Sequence, residues 1–281
     1  MIPSPFQYVA ATTLEEAIRT LTEFGDEAKV IAGGQSLLPL VKLRLAAPTV
    51  LVDLARVGLS GISVTGDTLV VTAMTAYRDI VRSPLVAQHA PLLAAASGLV
   101  GDPQVRNRGT IGGGAVHADP AGDIGCALMA LDAVMVAQGP SGRRSIPIDE
   151  FFLGYWTSAL ADNEVLVEVR IPSAPFAPWD YQKFNIRSQD WATVAVAVRG
   201  DRVSLASMGD RVVRATATER ALGDGASLVD AAALADEGTT PPSDLRASTE
   251  YRRNLARVLT SDALRISRSR FSNSGTDPLT S

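Results

Sequence analysis

The segment VRNRGTIGGG, residues 105–114, sets three consecutive glycines behind a Gly-Thr-Ile step. Glycine gives up more conformational freedom on folding than any other residue, so such a run points to a backbone that something must approach closely. A second cluster, AGGQS at 32–36, stands upstream, directly behind the apolar run AKVIA at 28–32. Each cluster lacks side-chain bulk and is bordered by a small hydroxyl residue, Ser36 or Thr110. Backbone N–H groups in such loops can cradle phosphate oxygens, and a dinucleotide pyrophosphate is a fitting occupant. The other reading, two tight turns or close strand crossings, stands beside it.

Three better-known glycine motifs do not fit. A Walker A loop needs Lys and then Ser or Thr after its last glycine, whereas Ala115 and Val116 follow Gly114. Neither cluster supplies the Gly-x-Gly-x-x-Gly of a Rossmann turn. A nucleophile elbow needs Gly-x-Ser-x-Gly, but Leu37 and Leu38 follow Ser36.

With 281 residues the chain has room for two or three domains. Its 46% apolar and 20% charged residues are ordinary for a globular protein, and a net charge of −4 gives no footprint for nucleic acid. No apolar run reaches the roughly 18 residues of a membrane span, and MIPSPFQYVA carries no leader pattern, so the cytoplasm is the expected compartment. Cys126 is the only cysteine, which excludes a cluster held by four thiolates of this chain. His89 and His117 are the only histidines, and no metal site is expected.

The hydrophobic pattern divides the chain. TTLEEAIRTLTEFG reads as a helix with Thr13 as N-cap and Gly25 as its stop. AKVIA and TVLVDL (49–54) read as buried strands, with a short helix in SLLPLVKLRLA between them. ISVTGDTLVVTA (62–73) is a hairpin turning at Gly66-Asp67. HAPLLAAASGLVG (89–101) and about 121–131 are apolar helices, 133–148 is a strand pair, and EVLVEVRIP (164–172) alternates as a strand. The proline-rich SAPFAPW (173–179) marks a boundary. Beyond it, VAVAVRGDRVSLA suggests a strand pair turning at Gly200-Asp201, although its alanines also suit a helix, and three helical patterns follow. Arg252, Arg253, Arg257, Arg265, Arg268 and Arg270 make the last of them basic, as a solvated or subunit-contacting face.

In HADPAGD, Asp119 and Asp123 suit helix capping or hydrogen bonds to ribose, and as an acid/base pair they lack a third partner. His117 reads as a packed or surface residue, with proton donation or cofactor attachment as the functional alternatives. Cys126 reads as a small core residue. Lys183, Arg187 and Trp191 form a basic and aromatic set that can stabilise and cover an anionic ring, or simply be a solvated face with one anchor.

Taken together, AKVIAGGQSLLPLVKLR, DPQVRNRGTIGGG, HADPAGD and YQKFNIRSQDWATVAVA, in this order, resemble the FAD-binding medium subunit of molybdenum hydroxylases, and within that family the carbon monoxide dehydrogenase type. The resemblance runs from about Phe6 to about Leu264. It implies an α+β fold: a vanillyl-alcohol-oxidase-type FAD-binding domain over 1–175, in subdomains of about 1–55 and 56–175, then a small α+β domain over 176–270; the polar tail at 271–281, rich in Ser, Thr and Gly, reads as disordered from its composition. Ala32, Gly33, Gly34, Gln35, Ser36 and Leu37 match the first FAD loop, and Thr110, Ile111, Gly112, Gly113 and Gly114 the second, the two together holding the pyrophosphate. Asp123 matches a contact to the adenosine half, Leu166 an apolar wall, Lys183 a lysine near the flavin whose charge tunes it, and Trp191 the aromatic cover of the isoalloxazine. Gly114 stands where relatives commonly carry Asn or Asp, and Gln35 where some have His or Asn.

The resemblance further implies partners: a large molybdenum-cofactor subunit and a small subunit with two [2Fe–2S] clusters, as a dimer of heterotrimers. Electrons would pass from the clusters through FAD to a quinone or other acceptor, with a peripheral place at the inner face of the membrane as an option. No catalytic nucleophile is required of this chain. A purine or N-heterocycle dehydrogenase subunit, a self-contained flavin oxidoreductase and a non-redox nucleotide-binding subunit are the alternatives. If the glycines serve the cofactor directly, a Cβ at Gly112 or Gly113 would fill phosphate space or force a strained φ.

Overall fold

The computed structural model of the chain describes residues 3–273. Its first sheet is parallel and three-stranded, in the order Gln7–Ala10, Val50–Asp53, Ala28–Ile31. The helix Leu14–Phe24 covers it: Leu14, Ala17, Ile18 and Leu21 pack with Val50 and Val52. Its start follows the sequence signal. Thr13 Oγ1 accepts the Glu16 N–H at 3.1 Å, which satisfies one orphan donor of the first turn, while Glu16 Oε2 reaches back to accept the N–H of Thr12, the residue before the cap, at 2.8 Å. The short helix Leu37–Lys42 begins where the first glycine loop ends. The strand Gln7–Ala10 carries no clear apolar pattern, because it is a half-exposed edge that leans only on the central strand.

The second sheet has five antiparallel strands: Ile62–Thr65, Thr68–Thr72, Val165–Pro172, Val134–Gly139 and Gly142–Pro147. Gly66, at φ 55°, opens the first hairpin turn as its sequence predicts. Both faces of the middle strand are buried. Val165 and Val167 join the core of the first sheet, whereas Leu166, Val169 and Ile171 join the main core, which also holds residues of the helices Pro91–Gly98 and Asp123–Ala130. The apolar helix expected within 89–101 is Pro91–Gly98, and a separate helix, Pro84–His89, precedes it. Pro91 cannot donate backward and disfavours helical geometry at Ala90, which breaks the run at φ −149° and ψ 60°.

The third sheet, Trp179–Phe184, Val194–Arg199, Arg202–Ala206 and Val213–Arg214, is antiparallel. Its VAVAV strand resolves the ambiguity between strand and helix by burial on both sides. Val194, Val196 and Val198 pack on the helix Thr249–Asn273, and Ala195 and Ala197 lie toward Asp123–Ala130. Alanine is small enough for that helix to approach closely, and Ser204 Oγ donates to the Cys126 carbonyl at 2.6 Å. Cys126 is accordingly a core residue, its thiol pushed up to about 12 by burial.

The basic helix is less of a solvated face than its composition suggests. Arg252 is 2% exposed, donates to the Thr193 carbonyl and pairs with both oxygens of Asp244 at 2.8 and 2.9 Å. Arg257 clamps Asp236, and Arg270 bonds Asp180 at 2.7 Å while lying over the Trp179 ring. The helix extends to Asn273, into the segment expected to be disordered; the rest of that segment lies outside the described residues.

Candidate functional site

A cavity of about 700 Å³ opens between the three sheets, a volume within the range of about 300–1,000 Å³ typical of cofactor sites. The first glycine loop, Ala32–Leu37, forms one wall. Gly34 is at φ 73°, and the chain there turns from the strand Ala28–Ile31 into the helix Leu37–Lys42. Among the described residues, the N–H groups of Gly33, Gly34, Gln35, Ser36 and Leu37 donate to no protein acceptor, although the carbonyls of Gly33, Gly34 and Ser36 are used. Five consecutive N–H groups without a protein acceptor, on residues that line a cavity, suit an anion.

The second glycine cluster is built differently. It is the first turn of a helix, Ile111–His117, capped by Thr110, whose Oγ1 accepts the Gly113 N–H at 3.1 Å. Ile111 N–H donates to the Thr75 carbonyl, Gly112 to that of Ala73 and Gly114 to that of Thr110. The donors from Ile111 to Gly114 are therefore spent, and this segment contributes space rather than N–H groups. A Cβ on Gly112 would lie 2.6 Å from that of Ala73, which is packing against the sheet and not phosphate space. Neither Gly112 nor Gly113 has a positive φ. The two clusters touch directly: a Cβ on Gly33 would run into the carbonyl oxygen of Arg108, and one on Gly113 would be 3.4 Å from the Ala32 Cβ.

Asp123, at the start of the buried helix Asp123–Ala130, is one of the residues that line the cavity. Its Oδ1 accepts from the Tyr181 hydroxyl at 2.7 Å and its Oδ2 from Lys183 Nζ at 2.9 Å, and Lys183 also donates to the Leu99 carbonyl at 3.1 Å. The side chains of Asp123 and Lys183 are each 3% exposed. Burial pushes the Asp123 carboxyl above its ordinary value, with Lys183 and Tyr181 opposing. At the mouth stands Trp191, 43% exposed, its ring centroid 6.4 Å from that of His117. Burial lowers the His117 pKa, so the imidazole on this wall is neutral at pH 7.

A family profile described as the FAD binding domain in molybdopterin dehydrogenase matches residues 4–174, and one described as the CO dehydrogenase flavoprotein C-terminal domain matches residues 179–266. The carbon monoxide dehydrogenase medium chain of Hydrogenophaga pseudoflava is 40% identical over 279 residues, covering 94% of this chain and 97% of that one. The chain belongs to the FAD-binding medium subunits of the molybdenum hydroxylases. This medium subunit is also 34% identical to the 6-hydroxypseudooxynicotine dehydrogenase complex subunit alpha of Paenarthrobacter nicotinovorans, over 92% of this chain and 93% of that one. Among solved structures, carbon monoxide dehydrogenase of H. pseudoflava superposes with a TM-score of 0.92 at 40% identity, over 96% of this chain and 99% of that one. Quinoline 2-oxidoreductase of Pseudomonas putida 86 gives 0.89 at 32%, over 96% and 100%.

Of the residues singled out in the sequence, the fold brings Ala32–Leu37, Thr110, Gly112–Gly114, Asp123, Leu166 and Trp191 onto one cavity. Two lie off its wall. Ile111 is fully buried in the core beneath the medium subunit's glycine helix, and Lys183 stands behind Asp123, neutralising it rather than facing the cavity. Arg106 braces the loop, donating to the carbonyls of Val100 and Gly101 at 3.0 and 3.1 Å. The Arg108 carbonyl oxygen packs where a Cβ on Gly33 would stand, while the Arg108 side chain is exposed. The residue that sequence reasoning misses is Tyr77. Its hydroxyl sits where a side chain on Gly114 would begin, so the space vacated at Gly114 is filled from another element.

Proposed function

We propose that this chain is the electron-transferring subunit of a heterotrimeric molybdenum hydroxylase of the carbon monoxide dehydrogenase type. It takes electrons from the [2Fe–2S] clusters of a small partner subunit, a large partner holds the molybdenum cofactor, and a quinone or similar acceptor receives the electrons. The assembly we favour is a dimer of heterotrimers. The observation that carries the reading is the run of five unpartnered N–H groups on a 700 Å³ cavity, which suits the pyrophosphate of FAD. The higher identity to a carbon monoxide dehydrogenase chain supports the type.

In this reading Gly33–Leu37 and the Ser36 hydroxyl hold the pyrophosphate, and Thr110–Gly114 shape the opposite side of the cradle. Asp123 and Leu166 line the wall, Trp191 covers the flavin ring at the mouth, and Lys183 acts on the cavity through Asp123. FAD, when bound, supplies a centre that accepts electrons singly and releases them in pairs. The residues of this chain bind and orient that centre and limit its access to water. None is required as a nucleophile.

The purified chain is expected to be yellow, with a flavin spectrum that carbon monoxide, purines or N-heterocycles do not bleach anaerobically unless the partner subunits are present. Bleaching by the chain alone would favour a self-contained oxidoreductase, and a colourless chain that FAD cannot reconstitute would remove the proposal. Trp191→Leu is expected to retain FAD with increased flavin emission, because an aromatic ring stacked on the flavin is lost. Unchanged emission would take Trp191 off the ring.

A further inference from the structure

The Tyr77 phenol lines the cavity wall in a placement that hydrogen bonds within the described residues do not account for. It stands at the start of the helix Tyr77–Arg82 and is 4% exposed. The ring is fixed in the main core, with its Cε2 only 2.9 Å from where a Gly109 Cβ would stand, and its backbone N–H donates to the Gly109 carbonyl at 3.0 Å. The hydroxyl extends over Gly114 to the cavity. Among the described residues it has no hydrogen-bond partner, although Tyr181, the other buried tyrosine on Asp123's side of the core, donates to that carboxylate. Burial and the nearby Asp123 charge push the Tyr77 phenol upward, so it is a neutral donor throughout the physiological range.

The hydroxyl oxygen is not one of the fully buried unpartnered polar atoms of the described residues, so water in the cavity can satisfy it, and a bound ligand that displaces that water has to offer an acceptor in exchange. Glycine at 114 is the only residue that leaves this hydroxyl room, since any Cβ there would overlap it. Two separate elements, the helix of Tyr77 and the glycine helix, are thus fitted to each other around one donor. We propose that Tyr77 is a cofactor-binding residue, its hydroxyl donating a hydrogen bond to an acceptor of the bound flavin dinucleotide, with Gly114 clearing the space it needs. The inference rests on the FAD reading of the cavity.

The test is a titration of the full-length apoprotein with FAD, followed by flavin fluorescence and by thermal unfolding with and without cofactor. Tyr77→Phe is expected to raise the Kd for FAD about tenfold, as for loss of one hydrogen bond. The midpoint of the apoprotein should stay level, because the variant removes no hydrogen bond within the protein; a merely structural tyrosine would lower it. Gly114→Ala should also weaken FAD, by evicting the hydroxyl. In the Tyr77→Phe background it should add little, because the nearest remaining ring atom, Cζ, would be 3.3 Å from the new methyl. Non-additivity of that kind is the signature of a shared contact. A Tyr77→Phe variant that binds FAD as tightly as the parent, or a Gly114→Ala loss identical in both backgrounds, would overturn the role of Tyr77 while leaving the cavity's assignment intact. If the parent apoprotein takes up no FAD, the proposed function falls and this inference falls with it.

Discussion

Gly33→Ala is expected to lose FAD more completely than any other single methyl added to the cavity wall. The new Cβ would meet the Arg108 carbonyl oxygen, and the Gly109 Cα would be only 2.8 Å away. Both belong to backbone, so no side-chain rotation relieves the overlap. One of the two glycine segments has to move, and overpacking of this kind costs about 1–3 kcal/mol, or roughly 5- to 150-fold in affinity if it is borne by the cofactor site. Gly33 has no positive φ, so the effect is purely one of close approach. Gly34→Ala separates the two causes. It would suffer the left-handed penalty at φ 73°, about 1–2 kcal/mol, but its Cβ meets only the flexible end of Leu38 at 2.9 Å. FAD content per protein, read from the flavin absorbance, should therefore fall further for Gly33→Ala than for Gly34→Ala. Full FAD content with an unshifted unfolding midpoint in Gly33→Ala would show that the two loops are not held in register by this contact.

The glycine clusters are legible as a pair, with an anion cradle and a close crossing of backbones as the two uses that AGGQS and TIGGG suggest. Their division of labour is not. Three glycines have the poorest helix propensity short of proline, each about 1 kcal/mol worse than alanine, so Ile111–His117 does not read as a helix. It forms because Thr110 caps it and because Ile111 and Gly112 bond to the carbonyls of Thr75 and Ala73, a strand end far away in sequence. The VAVAV strand shows the same limit in the opposite sense: its alanines suit a helix until a second layer buries them. Tyr77, in TAYRDIV, looks like any aromatic on an amphipathic helix, and only the fold places its hydroxyl over Gly114. Asp123 is legible as an acidic residue beside the cradle, yet its partners, Tyr181 and Lys183, come from the third sheet.

That partnership carries the second large effect. Asp123→Asn leaves the Lys183 ammonium in a site 3% exposed with only the Leu99 carbonyl and an amide oxygen to receive it. Removing one member of a buried pair costs about 3–5 kcal/mol, a large share of the 5–15 kcal/mol typical of a whole domain. Lys183→Met should be milder, because the stranded carboxyl can take up a proton. Its folded pKa, already raised by burial, would rise further without Lys183. With the folded value above the unfolded one, the native state binds the proton more tightly, so stability falls as pH rises through that interval, by at most about 1.4 kcal/mol per pH unit. Lys183→Met is thus expected to be most stable on the acid side, and Asp123→Asn to lack that slope. The double variant removes both charges and should recover much of the loss of Asp123→Asn, as buried pairs replaced together often do. Because the pair joins the helix on the cavity wall to the strand that leads toward Trp191, loss of FAD should follow loss of stability in the same order. Urea unfolding of the four proteins across pH decides it: strictly additive losses, or a Lys183→Met profile without the acid-side gain, would show that Asp123 and Lys183 are not one buried unit.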